Sequence, residues 1–272
     1  MMHLIKILPI LFVVGMIGLI VSCEDDKSSN PQDQVPTIPP QSSFVIKFDE
    51  FPDTTKIGRV DNPVLTKRNW AWAASNVKYW NSVLTVALAI PVAAFVESFN
   101  HQPVQQSDGS WLWQYNVSVD EQIYTAKLFG LHTGDGVDWR MLLSKQGEYT
   151  DFEWFTGFSN TSATEGTWSL NKDPNSPNPF LNIEWNRSVQ NETAEIKYIL
   201  VSPSILQQGS YIFYEKTNEV PLNRFYQFYN NNLMDIKWSY ESNFGRVKNL
   251  LYFEDETWHC WDERLEDTEC EE

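Results

Sequence analysis

The stretch "VDWRMLLSK" (residues 137–145) changes character at almost every step: Val137, Trp139, Met141 and Leu143 are apolar, while Asp138, Arg140 and Ser144 are polar. Side chains of an extended strand point alternately to opposite faces, so this period of two marks a strand with one dry face and one wet face. The same period recurs to either side. In "WLWQYNVSV" (111–119), Trp111, Trp113, Tyr115, Val117 and Val119 share a face. "LNIEWNRS" (181–188) sets Leu181, Ile183 and Trp185 against Asn182, Glu184 and Asn186. "LMDIKWSY" (233–240) sets Met234, Ile236, Trp238 and Tyr240 against Asp235, Lys237 and Ser239.

Turn signals separate these runs, among them "HTGDG" (132–136), "NTSATEG" (160–166), "NKDPNSPNP" (171–179), "SVQNET" (188–193), "SPSILQQG" (202–209) and "ESNFG" (241–245). Each gap suits a hairpin and is too short for a crossover helix. Strands are expected roughly every 13 residues, eleven or twelve in all, with "SFVIKF" (43–48) as the first. No sequence repeats at that period, which excludes a propeller or solenoid. One antiparallel meander of this length must curl, so the expected fold is mainly β, a barrel or half-barrel. Its topology resembles lipocalin-type barrels and half-barrel lipoprotein carriers. A transmembrane barrel is disfavoured, since several strands are short for a span of about 9–11 residues.

One helical segment precedes the strands. In "RNWAWAASNVKYWNSVLTVALAIPVAAFVESFN" (68–100), Ala73, Val77, Trp80, Leu84, Ala87 and Leu88 recur at helical spacing. Asn69 is placed to cap its start, and Pro91 is expected to break or kink it and open a second short helix. The segment 69–90 is the natural plug for a curled sheet.

The amino terminus carries a different message. After the basic start Met1–Lys6, an apolar run extends from Ile7 to Val21 and ends at Ile20-Val21-Ser22-Cys23. Fifteen helical residues reach roughly 22 Å, short of the ~30 Å of a bilayer core but typical of a signal-peptide core. This leader resembles the lipobox of bacterial lipoproteins, in which the cysteine is lipidated and becomes the first mature residue. The resemblance implies residues 1–22 as signal peptide and membrane attachment through lipid on Cys23. Glu24, Asp25 and Asp26 resemble the surface-export signal of some Gram-negative lipoproteins, which implies the cell envelope, outer membrane and outward-facing. Residues 23–43, with Pro31, Pro36, Pro39 and Pro40 and few bulky apolar groups, are expected to form a disordered tether. Residues 44–272 then form a single β-rich domain with an acidic tail.

Removing Lys6 with the leader takes the formal charge from −16 to −17. That excludes nucleic acid as a partner, because its binding needs a basic face. Glu254 to Glu272 alone hold ten carboxylates and one base, Arg264. Of three cysteines, Cys23 is assigned to lipid, which leaves Cys260 and Cys270 as an expected disulfide in an exported chain.

Catalytic motifs are absent: there is no G-x-S-x-G, H-E-x-x-H, G-x-G-x-x-G or Walker sequence. Ser75-Asn76-Val77-Lys78 fits S-x-x-K but lacks the K-T-G and S-D-N partners. His101, His132 and His259 are far apart; His132 heads a turn with Asp135 and Asp138, where Gly134 and Gly136 suit a tight hairpin. Asp53-Thr54-Thr55 matches the D-[ST]-x rule for bacterial O-glycosylation. No metal or cofactor is expected.

The aromatic content is unusual, with 12 Trp, 11 Tyr and 16 Phe. "FEWFTGF" (152–158), "YIFYE" (211–215) and "FYQFY" (225–229) are aromatic on both strand faces. One face fills the core, and the second needs a cover or a ligand. Trp154, Phe155, Tyr214, Tyr226 and Phe228 are the candidate ligand-binding residues on that ground. The expected function is that of a non-enzymatic carrier or binding module for an apolar ligand. A surface module that uses exposed aromatics to bind a glycan or protein is the alternative, with an enzyme of unrecognised type behind it.

Overall fold

The computed structural model describes residues 34–45, 51–52, 66–201 and 209–271. A long helix, α1 (Arg68–Glu97), is followed by fourteen strands. They are β1 (Val104–Gln105), β2 (Trp111–Val119), β3 (Gln122–His132), β4 (Gly136–Lys145), β5 (Tyr149–Asn160), β6 (Glu165–Asp173) and β7 (Ser176–Ser188), then β8 (Thr193–Leu200), β9 (Tyr211–Lys216), β10 (Arg224–Tyr229), β11 (Leu233–Trp238), β12 (Gly245–Asn249), β13 (His259–Trp261) and β14 (Asp267–Thr268). A single helical turn, α2 (Leu250–Phe253), joins β12 to β13. Every strand pairs antiparallel with its sequence neighbour, in one sheet with β1 and β14 as its edges. The meander is therefore open, a strongly curved half-barrel and not a closed barrel. The four stretches quoted for their alternation fall in β2, β4, β7 and β11; β1, β13 and β14 have only two or three residues, too few to show a period.

The curl has a specific packing basis. One cross-strand row runs Trp111, Gly130, Trp139, Gly157, Trp168, with each residue paired to the next. Each glycine leaves space that the neighbouring indole occupies. A Cβ on Gly130 would lie 2.8 Å from Trp139 Cζ3, and one on Gly157 would lie 2.2 Å from Trp168 Cε3. The device recurs on the same face, where Cβ atoms on Gly166 and Gly245 would lie 2.9 Å from Trp185 Cζ2 and 2.4 Å from Trp261 Cζ2. Side chains converge on the concave face of a bent sheet, so alternating very large and absent side chains relieves the crowding. Register shifts add bends. Met141 pairs with Phe155 and Leu142 with Glu153, which leaves Trp154 as the extra residue of a bulge in β5.

The concave face is filled by the chain itself. Phe44 is fully buried, stacked on Trp168 at 4.5 Å and against Phe95 of α1 and Phe155 of β5 at 4.8 and 4.9 Å. Its carbonyl accepts a 2.8 Å hydrogen bond from Tyr198 Oη. The helix crosses the opening between the sheet's two ends. Near its carboxyl end, the Ala94 carbonyl accepts from Tyr115 Oη of β2. Near its start, Asn69 Nδ2 donates to the Cys260 carbonyl of β13. By length and composition α1 could cross a membrane, but Ala73, Val77, Leu84, Leu88 and Phe95 are buried in this core.

Several expectations need correction. Ser43 and Phe44 do not begin a strand: Gln41–Ser43 form a 3₁₀ turn that runs on into Phe44. This segment lies on the face of the sheet, where no strand edge is free to pair with it; residues 46–48 of that expected strand are outside the described residues. The expected tether is not free over 34–43. Pro36 and Pro39 are buried, and Pro36 Cγ lies against Gly130. Proline has little chain entropy to lose, which makes ordering cheap there. Pro91 does not break α1, which continues to Glu97 with Pro91 buried inside it. Ala87, whose carbonyl loses its donor, is exposed, so water can replace that bond. Asn69 does not cap the helix. Asp267 of β14 does, accepting from the backbone N–H groups of Asn69 at 2.9 Å and Arg68 at 3.2 Å. Tyr240, expected inside, is exposed because β11 ends at Trp238.

If indole-on-glycine packing sets the curl, Gly157→Ala should destabilise the fold by about 1–3 kcal/mol through overpacking. Gly134→Ala, where a Cβ meets nothing within 4 Å, should change stability by less than about 0.5 kcal/mol. Urea unfolding of both variants, followed by tryptophan fluorescence, checks this; equal effects would refute it.

Candidate binding face on the convex side of the sheet

With the concave side occupied, the outward side chains of the strands are the surface left for a ligand. They fall into two adjacent cross-strand rows. The first runs Leu131, Asp138, Phe158, Thr167, Glu184, Lys197 and Phe213 across β3 to β9. The second runs Phe129, Arg140, Thr156, Ser169 and Asn182. Between them lies a groove of about 670 Å³, lined by both rows as far as β7 and by Asp108 and Ser110 of the β1–β2 connection. A second groove of about 430 Å³ shares Phe158, Thr167 and Glu184 with the first and continues to Lys197 and Phe213. Together they form one trough across the strands.

The trough offers three kinds of contact. Phe129 and Phe158 supply half-buried rings, with the Arg140 guanidinium 5.0 Å from the Phe129 centroid. Thr156, Thr167 and Ser169 supply hydroxyls, and Asn182 an amide. Asp138, Glu184 and Asp108 supply carboxylates. The Asp108 carboxylate accepts from both the hydroxyl and the backbone N–H of Ser110, and these bonds, with Arg140 nearby, hold its pKa below the ordinary value. Aromatic faces beside groups that donate and accept hydrogen bonds suit a ligand with apolar C–H faces and many hydroxyls.

The five aromatics singled out in the sequence are elsewhere. Trp154, Phe155, Tyr214 and Tyr226 are buried in the core, and burial pushes the Tyr226 hydroxyl pKa up. Phe228 is half-buried against Trp80 of α1, ring centroids 4.6 Å apart. They face the helix side and line none of the trough. The outward aromatics of the same stretches are Phe158, Tyr211, Phe213, Phe225 and Tyr229. A signal for this exists in the sequence: Glu215 and Gln227 share strand parity with the outward rings and mark the wet face. The β5 bulge hides it in "FEWFTGF", since the extra Trp154 flips the parity and turns Trp154 and Phe155 both inward.

Cys260 and Cys270 are joined, Cα atoms 5.2 Å apart. Cys23 and Asp53-Thr54-Thr55 lie outside the described residues. The histidines are dispersed: His101 contacts Glu97 at 3.0 Å, His132 the Gln34 carbonyl at 3.0 Å and His259 Asp255 at 3.1 Å. Among the described residues no three His, Cys, Asp or Glu side chains group as metal ligands. Comparisons of the chain with protein-family models, curated proteins and solved structures find no match.

Beyond the trough, Glu195 and Glu215 face each other across β8 and β9. Burial, then Glu195 and Glu219, raise the Glu215 pKa, partly offset by Lys237. The folded chain thus holds this proton more tightly than the unfolded chain. The resulting penalty is absent below the unfolded carboxylate pKa and grows as pH rises through the folded value. Glu215→Gln should therefore raise the melting temperature at pH 7, with the gain vanishing by pH 4. Thermal melts at the two pH values check the sign.

Proposed function

We propose that this chain is an exported lipoprotein, held in the outer membrane by acylated Cys23, that binds a carbohydrate in the convex trough. The leader chemistry supports the anchor. Each buried methylene of an acyl chain is worth about 0.8 kcal/mol, so two or three long chains make attachment nearly permanent. The trough carries the binding reading. Its combined rings, hydroxyls, amide and carboxylates match a sugar's alternating apolar and hydroxylated faces, and each of its two grooves lies within the ~300–1,000 Å³ of small-molecule sites.

An apolar carrier has less support. The groove beside α1, lined by Val45, Leu84, Leu88, Val92, Val96 and Tyr198, measures about 320 Å³. It is half the size of the larger convex groove, and Phe44, Phe95 and Trp168 take up the space a deeper cavity would need.

Two measurements test the reading. Cys23→Ser should shift the protein from the membrane to the soluble fraction; continued anchoring would refute the lipid attachment. For the mature protein, screened against a glycan array, Phe158→Ala should weaken binding about tenfold, the loss of roughly 1.4 kcal/mol. Ile123→Ala, exposed outside the trough, should leave it unchanged. Equal responses of the two variants would remove the trough from the account.

A further inference from the structure

Helix α1 is apolar on more sides than the fold covers. No charged residue occurs between Lys78 and Glu97, and the most apolar stretch of the helix has a mean hydropathy of 1.9. A helix that is hydrophobic all round is normally enclosed on every side. Here only 33% of that stretch is buried. The inward side carries Ala73, Val77, Leu84, Leu88 and Phe95 into the core. The outer side presents Tyr79, Val83, Val86, Ala87 and Ile90 along one stripe at helical spacing. Tyr79 is 61% exposed and Val86 80%; Val83 and Ala87 are also exposed, and Ile90 is half-buried. Ser82, on the same side, satisfies its hydroxyl within the helix by donating to the Lys78 carbonyl at 2.9 Å. A contiguous apolar surface of this kind marks a docking face.

Two observations choose its occupant. The first is where the tether enters. Residues 34–45 carry no charge and run on the helix side of the sheet. Pro36 lies against Gly130 of the inward row, Phe44 is in the core, and Gln41 and Val45 line a groove with Leu84, Leu88 and Val92 of α1. Ten residues separate Cys23 from the start of this segment, so acyl chains on Cys23 are held within about 35 Å of it. The second is charge. The mature chain carries −17, so copies of it repel one another. The exposed stripe itself has no carboxylate. The acidic carboxyl-terminal segment meets α1 at its first turn, where Asp267 accepts from Arg68 and Asn69, about 15 Å along the axis from Tyr79. At the other end, Glu97 is engaged with His101 and Asn100.

We infer that the outer side of α1, from Tyr79 to Ile90, lies on the surface of the lipid bilayer that holds the anchor. This rests on the lipid attachment proposed above and adds a second, non-covalent contact. The acyl chains supply the attachment; the helix fixes how the body sits. An apolar helix face enters the boundary between headgroups and acyl chains by about 5–10 Å. Tyr79 and the half-buried Trp72, on the same side of the helix, are rings suited to that boundary. The contact is hydrophobic, so it persists at high salt. Because α1 crosses the opening of the half-barrel, this pose turns the convex trough away from the lipid, where a carbohydrate can enter it.

The test uses the full lipidated protein in phosphatidylcholine vesicles, with a nitroxide on Val86→Cys or, as control, on Ile123→Cys of the convex face. Cys260 and Cys270 are joined and do not take the label. On vesicles the label at 86 should become about tenfold less accessible to a water-soluble nickel chelate, and more accessible to oxygen, than in the unlipidated Cys23→Ser chain in buffer. The label at 123 should report water in both. Ala87→Asp should return the label at 86 to water while the protein stays on the vesicles; Tyr79→Asp serves as the second variant should the first perturb folding. A water-exposed label at 86 on vesicles would overturn the inference and leave the anchor standing. Protection of that label already in the lipid-free Cys23→Ser chain would also overturn it, because a second copy or another part of the chain would then cover the stripe. Failure of the lipidated form to associate with vesicles would sink both the anchor and the docked pose.

Discussion

The fold depends on indole rings laid over glycines of the adjacent strand. A sheet of fourteen strands left flat would expose two broad faces and bury neither. Alternating Trp139 and Trp168 with Gly130 and Gly157 makes the concave side narrow where the strands converge. The indoles fill the space of the missing Cβ atoms, so the bend is made without leaving cavities. The width of the resulting curl suits one helix and one segment of irregular chain. Phe44 and Phe95 meet Trp168 from these two elements at 4.5 and 5.6 Å, which ties the filling of the interior to the same ring that covers Gly157.

The open ends of the meander are controlled by the helix. The sequence offers Lys67 at the position before α1, a residue with no acceptor for the first helical N–H groups. Asp267 supplies the acceptor from about two hundred positions further along, and its own backbone N–H donates to the Thr66 carbonyl at 2.7 Å. A carboxylate at a helix amino terminus is favoured by the helix dipole as well as by the hydrogen bonds. The Cys260–Cys270 disulfide keeps β14 beside β13, and so keeps Asp267 in place. At the other end, Tyr115 holds the last turns of α1 to β2. The edge strands β1 and β14 have two residues each, which leaves little unpaired ladder for another chain to extend.

Much of this was legible in advance, and the failures have common causes. The period of two in "VDWRMLLSK" and "LNIEWNRS" reports local burial, and those strands fold with Trp139, Met141, Ile183 and Trp185 inside. Period cannot report partners distant in sequence. The cap from Asp267 and the burial of Pro36 and Pro39 depend on such partners and leave no periodic trace, and Asn69, the local residue suited to a cap, yields that place to Asp267. It also fails where register shifts. The bulge at Trp154 reverses the alternation within a few residues, so "FEWFTGF" looks aromatic on two faces while its inward members simply pack. In "YIFYE" and "FYQFY" the alternation is intact, and the polar residues Glu215 and Gln227 were the available guide to the outward rings.

The placement of rings on both faces separates two physical roles that composition alone merges. Inward rings are held by dense packing and have no freedom to meet a ligand; outward rings remain half-exposed beside charged groups. Under the proposed anchoring, ten residues separate Cys23 from Gln34, a reach of at most about 35 Å. The Gln34 carbonyl is bound at His132, next to Leu131 and one hairpin from Asp138. The β3–β4 end of the trough is thereby tied within that reach of the anchor.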